Sequence, residues 1–579
     1  ISGTVEETTQ SGEAKPEAEK VVASVDGVYF DSITKAIEAS SKDKPLVLLK
    51  DATLNENVIL TENASIDLKG YTLTANHLIL GKSTNPYEVK IENGTINGNV
   101  SEGNLFDINT NAKLILNGVT IDYTTKPTSE NPGAGIFLYD GANPASLEVK
   151  NSTINVDGSY GIGANASEGI STKLNISIEN STVTTTTSSY EDNTAILFNV
   201  PGELKISNST ISGQRQGVIV RGGTATISNS EITSSGAKTD FADYTNSNWK
   251  DGNEVPLAAL VIGNRTPNSY KYPTTVTLDN VTLKTGEKAV RKAMYVYQES
   301  DDYPVTVLGS LSTDSERTIN VIDGKENKAI VFPEAKIGDS YYQTLGNALS
   351  SINTTNEVTV DILVNNVKLE KALGEYLKQN DNNVVLKGNG LDKTILNLNY
   401  KDGDYTGYIG NSPSSNIVFK DLTLIHNPNN CNYRGFYDSG KKTFSKCKII
   451  GKLFLYSETE FTNCILENFK DYCIWTYGAK NVSFKDCTFE TGGKAILVYN
   501  EKTAESFTAD IVVTNCIFND GGTLTEDDGL KAAIETGSNA NNKNSNKYNL
   551  VLSNNVVNGF AINPKGTSTN STLWANKNS

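Results

Sequence analysis

One short phrase returns along almost the whole chain: an alternating apolar and polar strand, then Asn or Asp, a small residue, and a second β-branched pair. It reads Ile91-Glu92-Asn93-Gly94-Thr95-Ile96, Leu116-Asn117-Gly118-Val119-Thr120-Ile121 and Val149-Lys150-Asn151-Ser152-Thr153-Ile154. It continues at Ile178 to Val183, Ile206 to Ile211, Ile227 to Ile232 and Leu278 to Leu283. Most intervals run from about twenty to thirty-odd residues, where self-similarity signifies a solenoid. Val, Ile and Thr suit half-buried strands, and Asn tolerates the left-handed backbone that hinges two strands sharply. A chain that turns at the same place in every coil stacks its strands in parallel, about 4.8 Å apart. Inward residues then form apolar columns, and hinge Asn side chains can bond from coil to coil. A β-sandwich also has many short strands but has no reason to repeat one turn phrase. The expectation is an all-β, right-handed parallel β-helix.

The second half varies the grammar. Phe419-Lys420-Asp421-Leu422-Thr423-Leu424 leads to phrases in which Cys447, Cys464, Cys487 and Cys516 take the small position in four consecutive coils. A larger duplication relates Val25 to Ile37 with Ile337 to Leu349, each placing apolar residues at helical spacing (Phe30, Ile33, Ile37; Tyr342, Leu345, Leu349) after a capping residue. An open solenoid end exposes apolar columns and unpaired edges, and a short amphipathic helix is a natural cap. The predicted organisation is a polar leader or linker over 1–20, one β-helix domain over 21–330 and a second over 331–579, each capped by an N-terminal α-helix. A further helix is predicted from Leu369 to Leu377.

Composition bounds the function. A net charge of −16 and a pI near 4.9 argue against nucleic acid as a partner, since phosphate binding needs clustered Lys and Arg. No apolar stretch is long enough to span a membrane. The chain begins at Ile1 and its single methionine is Met294, the pattern expected where a signal or anchor segment has been removed or the chain trimmed. All six cysteines lie in the second half. No Cys-x-x-Cys pair is present, which argues against zinc, and stacked cysteines pointing one way have the wrong dihedral for a bridge. Free inward-facing thiols acting as small hydrophobes are expected, with no metal or cofactor.

The coils resemble the right-handed parallel β-helix, or pectin-lyase-like, superfamily over nearly everything after residue 21. The opening Asp26-Gly27-Val28-Tyr29-Phe30-Asp31-Ser32-Ile33, with Val47-Leu48-Leu49-Lys50-Asp51 behind it, is similar to that of adhesin-like or S-layer-like cell-surface proteins of gut-type anaerobic bacteria. The resemblance implies a scaffold on which lyases, hydrolases, tailspikes and adhesins are all built. The Asn-Thr-Asp, Asp-Asp, Gly-His-Gly and Arg-Ile-Lys set of the pectin-cleaving hydrolases is not found at the expected places. Asp301-Asp302 and Asp527-Asp528 read as solvated turns, although paired carboxylates can share acid and base roles. Arg215 and Arg221 are the best basic pair of the first half, and Arg221 reads as an ordinary outward position. Neither His77 nor His426 has an evident partner. No catalytic residue is assigned.

The deviations from the repeat are more informative. In the second half the second strand of successive coils ends in tyrosine, at Tyr437, Tyr456, Tyr477 and Tyr499, with Trp475 close by and Tyr433 and Tyr472 near. Stacked coil upon coil they make a ladder on which sugar rings would pack. The plainer structural reading is that such a ladder stabilises the stack. Two insertions, Ser235 to Pro256 with Trp249 and Thr525 to Asn549, are the other expected places for recognition. The function expected is that of a non-enzymatic extracellular bacterial surface protein, in adhesion and glycan binding or surface-layer assembly, with glycans or copies of itself as partners. The alternatives are a polysaccharide lyase or glycoside hydrolase of the same fold, and a purely structural lattice, filament or tailspike-like unit.

Overall fold

The computed structural model describes residues 20–98, 103–124, 133–139, 141, 143–165, 173–186, 193–236, 258–263, 272–286, 292–298, 301–311, 320–321, 328–377, 381–398, 414–426, 435–436, 439–469, 472–500, 508–521, 532–538, 547–560 and 570–575. The polar leader, the first long insertion apart from Ser235 and Gly236, Cys431, Tyr433, Tyr437 and Asp527-Asp528 lie outside the described residues, whereas the second insertion, expected as a loop, contains the strand Ala532–Ser538. The chain is all-β, with long parallel sheets consistent with a β-helix and three short helices among the described residues. Two compact units divide it, residues 1–332 and 333–579.

In the first unit each phrase bends at its Asn, or at Gly118 in the Leu116 phrase, and supplies strands to two neighbouring parallel ladders within an 18-stranded sheet. The hinge residues Asn93, Asn151, Asn180, Asn208, Asn229 and Asn280 hold φ between 46° and 59°, the left-handed region that Asn tolerates better than β-branched residues. Register follows the phrase. Leu116 pairs with Val149, then Ile178, Ile206, Ile227 and Leu278 in turn, one buried column along the stack. Each such side chain contributes about 1.5–3 kcal/mol on burial. Hinge amides bond from coil to coil, Asn280 Nδ2 donating to Asn229 Oδ1 (2.9 Å), and Asn151 Nδ2 reaches Asn117 Oδ1 (3.1 Å) beside the Gly118 hinge. The Gly-led segments build a third face, a 10-stranded parallel sheet running from Val58–Leu60 to Asn320–Val321.

Both units open on an antiparallel hairpin followed by a short helix. Helix α1, Ile33–Ala39, buries Ile33, Ala36 and Ile37, and its Ser32 side chain accepts the Lys35 N–H. Helix α2, Leu345–Ser351, is capped in the same way by Thr344. Helix α3, Leu373–Tyr376, is shorter than the predicted Leu369 to Leu377. Glu375 turns back onto the Ala372 N–H (3.2 Å) and Leu377 is already extended, so a single turn remains.

The second unit repeats the plan with bulkier columns. Phe419, Phe444, Phe461 and Phe484 stack ring on ring at 4.9, 4.7 and 4.8 Å, within 8° of coplanar. Beside them run the buried, unbridged thiols of Cys447, Cys464, Cys487 and Cys516, with Cys473 buried elsewhere. The third face here consists of Leu453–Phe454, Tyr472–Trp475, Lys494–Asn500 and Ala532–Ser538 in parallel, with Asn570–Ala575 added antiparallel.

Candidate functional site

The strands of the second unit's third face alternate, so one set of side chains enters the core and the other points away from it. Leu453 pairs with Ile474 on the inner side, and Phe454 pairs with Trp475 on the outer side. Trp475 in turn pairs with Leu497, and Leu497 with Glu535. An outward row Phe454, Trp475, Leu497, Glu535 therefore crosses the face. Tyr456 and Tyr477 lie two residues beyond Phe454 and Trp475 in their coils.

These side chains form one aromatic cluster. Phe454 lies 4.6 Å from Trp475, edge to face, and 5.6 Å from Tyr477, nearly parallel. Tyr456 and Tyr477 are 5.0 Å apart and tilted by 53°, and Trp475 meets Tyr477 at 5.2 Å. Tyr472 closes the cluster, 5.9 Å from Phe454 and 5.7 Å from Trp475. Phe454 and Tyr472 are buried, whereas Tyr456, Trp475 and Tyr477 remain partly exposed. The arrangement is a platform: a buried ring supports three that keep an edge or face on solvent. Tilted rings do not make a regular stack of parallel planes, but offset and edge-to-face contacts are the favoured aromatic geometries.

Polar groups flank the platform. Lys452 Nζ lies 5.4 Å over the Tyr472 ring. Lys494, which pairs in register with Tyr472, is held 3.1 Å from Glu535, whose side chain is only 6% exposed. This largely buried ion pair borders the cluster on its Tyr472 side. Of the tyrosines read from the sequence, the structure brings together Tyr456, Tyr477 and Trp475. Tyr499 pairs with Gly537 in the next coil, and its side chain lies outside the described set. Phe454 was missed, although it stands two residues before Tyr456 as Trp475 stands before Tyr477, a spacing that signals the same outward row.

The other candidates are placed as follows. Asp301 is exposed and pairs with Lys328 at 2.6 Å. Arg221 is not an ordinary outward residue: it is 2% exposed, as is Arg215. The strand between them, Gln216–Val220, is buried on both sides because Leu197, Ile219, Val261, Tyr295 and Tyr297 form an apolar cluster on the outer side of that face. His426 is buried, with Nδ1 2.5 Å from the Lys452 carbonyl. His77 does have a partner, Asp107, thirty residues on. Among the described residues no group of three or more His, Cys, Asp or Glu side chains is placed to hold a metal ion. No helix of the described residues is long and apolar enough to cross a membrane.

No family model matches the chain, and no curated protein matches it. Among solved structures, a mutant of the PL6 family alginate lyase AlyGC is similar over 84% of this chain and 88% of its own, at 10% identity and a TM-score of 0.21. The catalytic domain of a GH87 α-1,3-glucanase in complex with nigerose is similar over 87% of this chain and 63% of its own, at 9% identity and a TM-score of 0.13. Both likenesses are distant.

Proposed function

We propose that this chain is an extracellular bacterial surface protein of the pectin-lyase-like kind that binds glycan chains without cleaving them. On this reading it consists of two tandem right-handed β-helices, each closed at its N-terminal end by its short amphipathic helix. The observation that carries the reading is the cluster of Tyr456, Trp475 and Tyr477, partly exposed over buried Phe454. A ring held by its neighbours loses little freedom when a sugar packs on it, so less of the contact energy is spent on ordering. The acidic balance of the chain, −16 overall, suits uncharged glycans better than uronates or sulfated chains, which it repels.

The test is a glycan array probed with the full chain, followed by the double variant Tyr456→Ala with Tyr477→Ala. Two stacking rings at about 0.5–1.5 kcal/mol each predict a loss of roughly fivefold or more in affinity, with only a modest fall in melting temperature from the lost ring contacts. Lost stability with intact binding would make the cluster a structural element and overturn the reading. Release of new reducing or unsaturated ends from any polysaccharide would replace binding by cleavage.

A further inference from the structure

A second cluster lies on the third face of the first unit. Phe106–Ile108 pairs in parallel with Leu78–Leu80 on one side and with Ala134–Tyr139 on the other. The outward positions therefore line up as Ile59, Ile79, Asp107 and Phe137. Strand alternation sends Tyr139 to the same side as Phe137, and their ring centroids lie 4.9 Å apart.

The Asp107 carboxylate is the hub. Its Oδ2 lies 2.9 Å from His77 Nε2, and its Oδ1 accepts from Asn104 Nδ2 at 2.8 Å. The same amide nitrogen reaches Tyr139 Oη at 3.2 Å, while Asn104 Oδ1 accepts the Ala134 N–H at 2.8 Å and is thereby locked to the next coil. Burial, with the Asp107 charge and hydrogen bond beside it, pushes the Tyr139 phenol up to about 12, so it stays a neutral donor. The Asp107 carboxylate engages Nε2, so Nδ1 is the ring nitrogen left to meet a ligand. Nδ1 makes no hydrogen bond among the described residues. The site is open to a ligand: the His77 and Asp107 side chains keep 21% and 15% of their surface, Tyr139 keeps 37% and Ile59 keeps 65%.

We propose that this cluster is a second binding site for a neutral oligosaccharide, one hydroxyl of which hydrogen-bonds to His77 Nδ1 while a further ring packs on Phe137 and Tyr139. His77 and Phe137 are two coil steps and two strand residues apart, roughly 12 Å between their backbones, a span that a short oligosaccharide laid obliquely across the coils covers. Asp107 acts as a positioning residue for the imidazole and, as a fixed negative charge, disfavours uronates. The ligand class rests on the glycan reading above. The site does not, because it lies in the other unit and shares no residue with the platform.

The chain contains two histidines, so ring-nitrogen NMR of the full chain shows two sets of signals, and the set missing from His77→Gln is that of His77. The probes are tetramers of unsubstituted hexoses and of N-acetylhexosamines, with uronic acid tetramers as the anionic arm. The neutral tetramers are expected to move the His77 Nδ1 resonance, and His77→Gln and Phe137→Ala each to weaken binding about tenfold. Tyr456→Ala with Tyr477→Ala is expected to leave the His77 response intact. An unmoved His77 resonance across the neutral series, or an equal response to uronates, overturns the proposal. Loss of the His77 response in the double variant also overturns it. A His77 response alongside an inert platform would instead overturn the reading of the second unit alone.

Discussion

Ser181 Oγ lies 3.1 Å from the backbone nitrogen of Ser152, one coil away, and donates in turn to the carbonyl of Glu179 at 2.7 Å. The same pair of bonds recurs from Val119 to Ser152, from Ser181 to Ser209 and from Ser209 to Ser230. The sharp hinge removes these N–H groups from the regular ladder, and the buried hydroxyl column satisfies them. In the second unit cysteine takes the same place. Each thiol donates to the carbonyl two residues back, as Cys464 does to Thr462 and Cys516 to Thr514. The last coil ends the column with an amide, Asn555 Oδ1 accepting the Cys516 N–H at 2.9 Å.

Ser181→Ala is therefore expected to leave the Ser152 N–H buried and unmet. The cost is about 1–3 kcal/mol. Urea unfolding followed at the first unit's transition should show a lower midpoint with the slope unchanged. An unshifted midpoint would mean that the hydroxyl column contributes nothing.

Hinge geometry makes a separate prediction at Asn180, whose φ is 49°. Asn180→Val is expected to destabilise by about 1–2 kcal/mol, because a side chain there meets the following carbonyl. Asn180→Gly should stay close to the parent, and thermal melts of the two variants side by side distinguish hinge strain from loss of the exposed amide ladder.

Phe444 sits between Phe419 and Phe461 with none of its surface exposed. Truncation to alanine is expected to cost about 3–5 kcal/mol, transfer and cavity together. Val556→Thr, on an outward position 51% exposed, should change stability by no more than about 0.5 kcal/mol. Similar losses at both positions would contradict the inward assignment of the phenylalanine column.

The thiols predict a pH dependence. Burial pushes Cys473 up to about 12, and the hydrogen bond that the Cys487 thiol makes to its column neighbour Cys464 does the same to Cys487. In the unfolded chain these groups titrate near about 8.5. Above that pH the unfolded state has lost protons that the native state retains, so stability falls as pH rises. The contribution is complete below about 8.5 and is lost as pH climbs toward about 12. The urea midpoint should be lower at pH 10.5 than at pH 8, and less so in Cys473→Ala. In the native chain at pH 8, Cys447, Cys464, Cys473, Cys487 and Cys516 should resist a thiol reagent that titrates them all after unfolding. Rapid native labelling of these five would refute their burial.

Much of this architecture is legible residue by residue. The phrase Ile178-Glu179-Asn180-Ser181-Thr182-Val183 states which side chains enter the core, where the backbone turns left-handed and which small residue follows. A strand of period two allows no other arrangement once one face is buried. The candidate sites were legible only in part. Tyr456, Trp475 and Tyr477 could be picked out because they break the repeat at one place in the coil. The support of Phe454 beneath them and the pairing of His77 with Asp107 could not.

The difference has a physical reason. Local periodicity and hinge chemistry act within a few residues, so the sequence by itself determined the parallel stacking, the inward columns and the hinge conformation. Which outward side chains meet depends on how many residues each coil spends in its turns, summed from one coil to the next. Only the tertiary structure brought Asp107 beside His77 across thirty residues. It also decided that Arg221 would be buried, through an apolar cluster assembled from strands as far apart as Leu197 and Tyr295.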